Sequence, residues 1–369
     1  MNNLQPEVLE RLCDGDTRAR DNLDGAARSE GDSTLARSAA LIAYATLVQR
    51  GADLPGTERQ VLDDIIRCAA AAHMARAAAL SRVLAAFGAC GLRMLVLKGA
   101  AHAALYPAAY LRPRNDDDIL VAPEDFERAS ALVIELGYTR ALEVDTGRIT
   151  EQRHYSRASG AITHHVDLHR RVVNASVFAA LPTFDDLWTR RQAIPEFPGF
   201  SAGPVDALLL AAAHRVAHHP RSRDVLWSID MHLLATSLER VEWDELCASA
   251  RECRVAALVG SELGASSERW GTVVPPGHLA VLRATTGEPS AAYLEATGTL
   301  STEWLNFRHQ DSVAARLSVL REHVFPSPAY MHGRYGTAGP ARLAWLYLRR
   351  ATTGGVRWMR EHHAVRRGA

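Results

Sequence analysis

Hydrophobic positions along the 369-residue chain fall into two textures. Up to about residue 88 the spacing is helical. Ser33-Thr34 is placed to cap a helix running to Gln49, and Thr57 with Gln60 three residues later has the form of a capping box. The second helix carries Val61, Leu62, Ile65, Ile66, Met74, Leu80, Val83, Leu84 and Phe87 as one apolar stripe and stops near Gly88. From Gly91 onward short apolar strands separated by helical pieces are expected over 92–97, 100–105 and 118–121. Pro123-Glu124-Asp125 then opens a helix that Gly137 closes. A further strand falls in 161–173, where Ile162, Val166 and Leu168 alternate with Thr163, His165, Asp167 and His169.

Pro182, Pro195, Pro198, Gly199 and Gly203 mark the stretch 183–204 as loop-like, a linker by composition. Helical spacing resumes over 204–219 and 224–237, joined by the turn Pro220-Arg221-Ser222-Arg223, and continues to about 324. Phe325-Pro326-Ser327-Pro328 is a break before a helix-like run around 343–350. The expected organisation is a helical region over 1–88, an α/β core over 89–200, a helical domain over 201–324 and a basic aromatic tail over 325–369. The fold class is α+β, predominantly helical, with a small mixed sheet flanked by helices on both sides in sequence.

Composition narrows the partners. The 42 basic and 42 acidic residues cancel, so no overall field draws the chain to nucleic acid or anionic lipid. Five cysteines with no Cys-x-x-Cys spacing argue against both a disulfide framework and a zinc ribbon. The start lacks a basic region followed by an apolar core, and no stretch is long and apolar enough to span a bilayer. A soluble, cytoplasmic protein is expected.

Candidate chemistry gathers around Lys98, the sole lysine of the chain, in Leu97-Lys98-Gly99. Downstream, Asp116-Asp117-Asp118 runs into Ile119-Leu120-Val121, so that Asp116 and Asp118 project from one face of a strand and Asp117 from the other. Asp117 then needs a partner or solvent. Two carboxylates on one face, with Asp167 from another strand, suit a divalent cation, as phosphoryl and nucleotidyl transfer require. Lys98 as a point charge and Arg112 as a fork are candidate phosphate clamps, and Gly99 lets the backbone approach a phosphate. Taken singly, an Asp cluster at a strand start is more often a turn or a solvated edge; the combination favours a site. His169, on the face of Asp167, is a candidate at the metal or as an acid or base. His214 and His218, four apart on a helix, have a zinc-compatible spacing, yet histidines among so much alanine and leucine are more often packing residues. Asp230 reads equally as a salt-bridge partner of an arginine of the helical domain or as a residue orienting His214 or an acceptor. The arginines of the tail read as a solvated helix face.

Leu97-Lys98-Gly99, Tyr106-Pro107, Arg112, Asp116 to Val121 and Val166-Asp167-Leu168-His169 resemble the uncharacterised bacterial nucleotidyltransferase family within the DNA polymerase beta-like superfamily. The likeness extends through His214, Trp227 and Asp230 to Phe325-Pro326-Ser327-Pro328-Ala329-Tyr330-Met331. It implies that Asp116 and Asp118 bind Mg²⁺, expected as two ions, that Asp167 completes the triad, and that Lys98 and Gly99 stand where relatives place a phosphate loop. It further implies transfer of a nucleoside monophosphate from an NTP, ATP by expectation, with release of pyrophosphate. The acceptor is expected to be a small molecule or peptide in preference to nucleic acid, with His214 and Asp230 on its side. Two alternatives stand beside this reading: a His/Asp metal-dependent phosphohydrolase, and a non-catalytic nucleotide-binding module.

Overall fold

The computed structural model describes residues 56–141, 152–160, 162–218, 225–285, 287–296, 299–336 and 339–352. The expected helix over 33–49 and the arginines beyond 352 lie outside the described residues. The first described helix, α1 (Gly56–Ala89), buries Leu80, Val83, Leu84 and Phe87, the i, i+3, i+4, i+7 set of one helical face. Met74, expected on that stripe, is instead exposed. The helix ends at Ala89, one residue past Gly88, as its pattern predicts. The chain leaves it at Gly91, whose φ of +68° only glycine adopts without strain, and Leu92 N–H donates back to the Phe87 carbonyl at 3.0 Å.

Among the described residues seven strands form one mixed sheet. They are β1 (Met94–Val96), β2 (Asp116–Val121), β3 (Thr139–Arg140), β4 (Gln152–Ser159), β5 (Ile162–His169), β6 (Gln192–Ala193) and β7 (Phe200–Ser201), in the spatial order β3-β4-β5-β2-β1-β7-β6. β2 lies at the centre, antiparallel to β1 and parallel to β5. Both faces of β2 are covered, which is why Ile119-Leu120-Val121 is uninterruptedly apolar. Met94, Val96, Ile119, Val121, Val166 and Leu168 share one core with α1 and with α3 (Phe126–Glu135). Leu95, Leu97 and Leu120 join the other core, built on the C-terminal helices.

Three sequence expectations change. The stretch 100–105 is not a strand: Ala100–Ala103 is a short helix, α2, because the turn at Gly99 closes Ala103 N–H onto the Gly99 carbonyl at 3.1 Å. The expected linker over 183–204 is structured. It holds α4 (Phe184–Thr189), closed by a capping box in which Thr183 Oγ1 accepts from Asp186 N–H and Asp186 returns a carboxylate oxygen to Thr183 N–H. The same stretch supplies β6 and β7, which extend the sheet past β1. The strand β4 was missed, because a run with only Tyr155 buried shows no apolar alternation.

The helices continue as α5 (Pro204–His218), α6 (Val225–Ser237), α7 (Arg240–Glu252), α8 (Ala256–Trp270), α9 (His278–Arg283), α10 (Pro289–Glu295), α11 (Thr299–Arg308), α12 (Val313–Val324) and α13 (Pro328–Tyr335), followed by a helix over 340–352. Among the described residues the fold is α+β and predominantly helical, and no helix is long and apolar enough to cross a membrane.

Candidate active site

Register alone assembles the acidic cluster. β2 and β5 run parallel with Asp118 opposite Asp167 and Asp116 opposite His165, so strand alternation puts Asp116, Asp118 and Asp167 on one face of the sheet. On the other side of β2, Leu97 N–H donates to the Asp118 carbonyl at 3.0 Å, which carries Lys98 from the end of β1 to the same spot.

Asp118 is the centre of the cluster. Its side chain is 3% exposed, with Lys98 Nζ 3.2 Å from Oδ2 and His169 Nε2–H donating to Oδ1 at 3.0 Å. Burial works against an ionised carboxyl here, but the Lys98 ammonium and the His169 hydrogen bond override it and hold Asp118 well below the usual carboxylate range. Asp116 goes the other way: burial, then the adjacent Asp118 charge, pushes its carboxyl up. On β4, His154 Nδ1–H donates to Asp167 Oδ1 at 2.5 Å and faces Gln152 Nε2 at 2.9 Å. His154 was not foreseen. The signal was Ser159-Gly160, a hairpin turn with Gly160 at φ +62°, which sets His154 opposite Asp167 by register.

Lys98 donates to His214 Nε2 at 3.1 Å, so that imidazole nitrogen must present its lone pair. Its Nζ also lies 5.5 Å from the centre of the Trp227 ring, and His214 and Trp227 are 5.4 Å apart. The side chain of His218 and all of His219 lie outside the described residues. Gly99 has φ +61°, and a Cβ there would come within 3.4 Å of the Asp116 carbonyl oxygen. The turn that sets Lys98 down at Asp118 is therefore a glycine turn.

Asp230 and Arg112 form a pair of their own. Arg112 donates from Nε to Asp230 Oδ1 at 2.9 Å and from Nη2 to Oδ2 at 2.6 Å, with both side chains buried. Tyr106 O–H adds a bond to Oδ1 at 2.7 Å, and His102 Nδ1 stands 3.3 Å from Oδ2. Burial opposes both charges, yet the pairing holds the Asp230 carboxyl well below its ordinary range and Arg112 above its own. The fork of Arg112, expected on phosphate, thus grips a carboxylate on α6, and the arginine that pairs with Asp230 comes from the core and not from the helical domain.

Asp117 also finds partners. It is fully buried on the opposite face, with Arg114 Nε 3.0 Å from Oδ1 and His164 Nε2–H donating to Oδ2 at 2.8 Å. Tyr138 O–H then donates to His164 Nδ1 at 2.5 Å, so one imidazole tautomer satisfies both bonds.

Asp118, Asp167 and His169 bring ligand atoms to within 4.8 Å of one another, close enough to hold a metal ion, and all three are buried. Asp118 Oδ2 is buried with the Lys98 ammonium 3.2 Å away and no other hydrogen-bond partner, an oxygen already facing a positive charge. Two carboxylates give the hard oxygen donors that Mg²⁺ or Mn²⁺ takes, and a buried cluster with one depressed and one raised carboxyl is chemically apt for it. The donor set fits a divalent cation.

A comparison with curated proteins returns no match. Residues 35–270, well over half of the chain, match the model of a family described as uncharacterised nucleotidyltransferases, and the chain belongs to that family of transferases.

Proposed function

We propose that the protein moves a nucleoside monophosphate from an NTP to an acceptor and releases pyrophosphate, with Asp116, Asp118 and Asp167 as the carboxylates of a Mg²⁺ site. The observation that carries this reading is the convergence of Asp118 and Asp167 from adjacent parallel strands opposite the only lysine. A bound divalent cation neutralises phosphate oxygens and lowers the pKa of an attacking hydroxyl. Asp118 and Asp167 hold that charge, and His169 secures the orientation of Asp118 through Oδ1. Asp116, on the same face of β2 as Asp118, completes the set. Lys98 meets the phosphates as a mobile point charge, and Gly99 lets the backbone lie close to them. Arg112 acts from behind, its fork on Asp230 and its charge within the field of Asp118. His214 and Trp227 wall the side from which an acceptor enters. Zero net charge supports a small molecule or peptide over nucleic acid, and ATP is the first donor to try.

The test is Asp118→Asn, assayed with NTPs labelled at the α-phosphate, Mg²⁺ and pooled small molecules and peptides as acceptors. Transfer of label and pyrophosphate release should both fall by about a hundredfold or more while the circular dichroism spectrum is unchanged. Full activity of that variant sinks the mechanism. The nitrogen donor of His169 beside Asp118 and Asp167 is the one observation that favours a transition-metal phosphohydrolase instead. That alternative requires orthophosphate release without acceptor and a tightly held transition metal on elemental analysis.

A further inference from the structure

Asp118 is a buried carboxylate, and such a group needs a countercharge. The cation beside it is the Lys98 ammonium, 3.2 Å from Oδ2. That oxygen has no other hydrogen-bond partner, so the Lys98 ammonium is the group that lies against it. His169 covers the other oxygen, Oδ1. The approach to Asp118 that a cation would use is therefore the one on which the lysine sits. Two positive charges cannot both stay there: a dication bound to Oδ2 would face the ammonium at a few ångströms with little water between them.

We propose that Lys98 is the stand-in countercharge of the metal-free site and leaves Asp118 when a divalent cation enters, so that metal loading itself frees the lysine to meet phosphate. This rests on the metal-site reading above. It explains the residue type in a chain that writes every other basic side chain as arginine. A guanidinium would close on Asp118 as a bidentate fork and stay, as Arg112 does on Asp230, whereas an ammonium on a four-carbon stem makes a single contact that is easily given up. His214 Nε2, already 3.1 Å from Nζ, and the Trp227 ring give the departing ammonium a second place to rest, next to the carboxylate but off it.

The experiment titrates Mn²⁺ into the metal-free full-length protein and into Lys98→Met, Lys98→Arg and Asp118→Asn, reading free Mn²⁺ by its paramagnetic resonance signal, with no nucleotide present. Removing the stand-in should tighten Mn²⁺ binding about tenfold, and substituting the fork should weaken it about tenfold. A role in structure alone would shift both lysine variants in the same direction. Equal or weaker binding by Lys98→Met overturns the proposal, and if that variant does not fold, Lys98→Arg binding Mn²⁺ as tightly as the parent does so. Asp118→Asn separates the two levels: undiminished Mn²⁺ binding by that variant removes the metal site itself, while its loss together with unchanged lysine variants removes only the stand-in. A second readout uses inorganic pyrophosphate, which should bind the parent more tightly with Mn²⁺ than without, a gain that Lys98→Met loses.

Discussion

Three side chains converge on the single carboxylate of Asp230: Arg112 through two nitrogens, Tyr106 through its hydroxyl, and His102 through Nδ1. Such a carboxylate is expensive to remove, because its partners would be left buried and unpaired. Asp230→Ala should cost about 3–5 kcal/mol, read as the drop in the urea midpoint. Arg112→Met placed on top of it should restore part of that loss, since the second change removes the stranded charge; additive costs would show that the pair is not coupled. The contacts around Asp117 follow the same rule on the other side of the sheet. A triplet of aspartates looked like a metal motif with one residue out of place, and the middle carboxylate proves to be the terminus of a Tyr138-His164-Asp117 chain with Arg114 alongside. Tyr138 and His164 are not legible as partners in sequence, because they arrive from residues far along the chain.

At the scale of elements, the link between β1 and α2 does most to form the site. Leu97 is tied to β2, Gly99 turns at φ +61°, and α2 starts at once, which leaves Lys98 no choice but to lie beside Asp118. Gly99→Ala forces a side chain into a conformation that L residues avoid and against the Asp116 carbonyl at 3.4 Å. It should cost about 1–3 kcal/mol by thermal unfolding and should lower transfer more than stability alone explains. Wild-type activity in a fully folded variant would show that the turn does not position Lys98. The strands carrying Asp118 and Asp167 were readable from their apolar runs, and so was the common facing of Asp116 and Asp118 within one strand. The pairing partner β4 was not, and with it His154 stayed hidden, because a strand with one buried side chain has no pattern to read.

For the whole molecule, stability against pH is set by groups that the helices bury. His232 on α6 is buried, with Nδ1 2.9 Å from Thr272 Oγ1, and burial lowers its pKa from 6.5 to about 4. A histidine whose folded pKa is depressed stabilises the fold fully above pH 6.5 and loses that contribution as pH falls toward 4, up to about 3 kcal/mol. Asp230 acts in the same direction but further down, losing its contribution as pH falls below its ordinary value of 3.8. His232→Gln should therefore flatten the curve of melting temperature against pH between 6.5 and 4 while leaving the acid limb below it. An unchanged slope in that window would mean that His232 is not the group that titrates.

Local pattern settled much of this protein from the chain alone: the α+β class, the long first helix, the central strand and the facing of Asp116 and Asp118, since periods of 3.6 and 2 are properties of the backbone and need no partner. The likeness to a nucleotidyltransferase family rested on short motifs in the same way. Tertiary structure decided what those side chains meet. Parallel pairing of β2 with β5 chose Asp167 as the neighbour of Asp118, the packing of α6 on the core gave Arg112 to Asp230, and the stretch read as a linker became two strands of the sheet. Contacts between residues a hundred positions apart depend on register and packing, and neither is written in the spacing of any single segment.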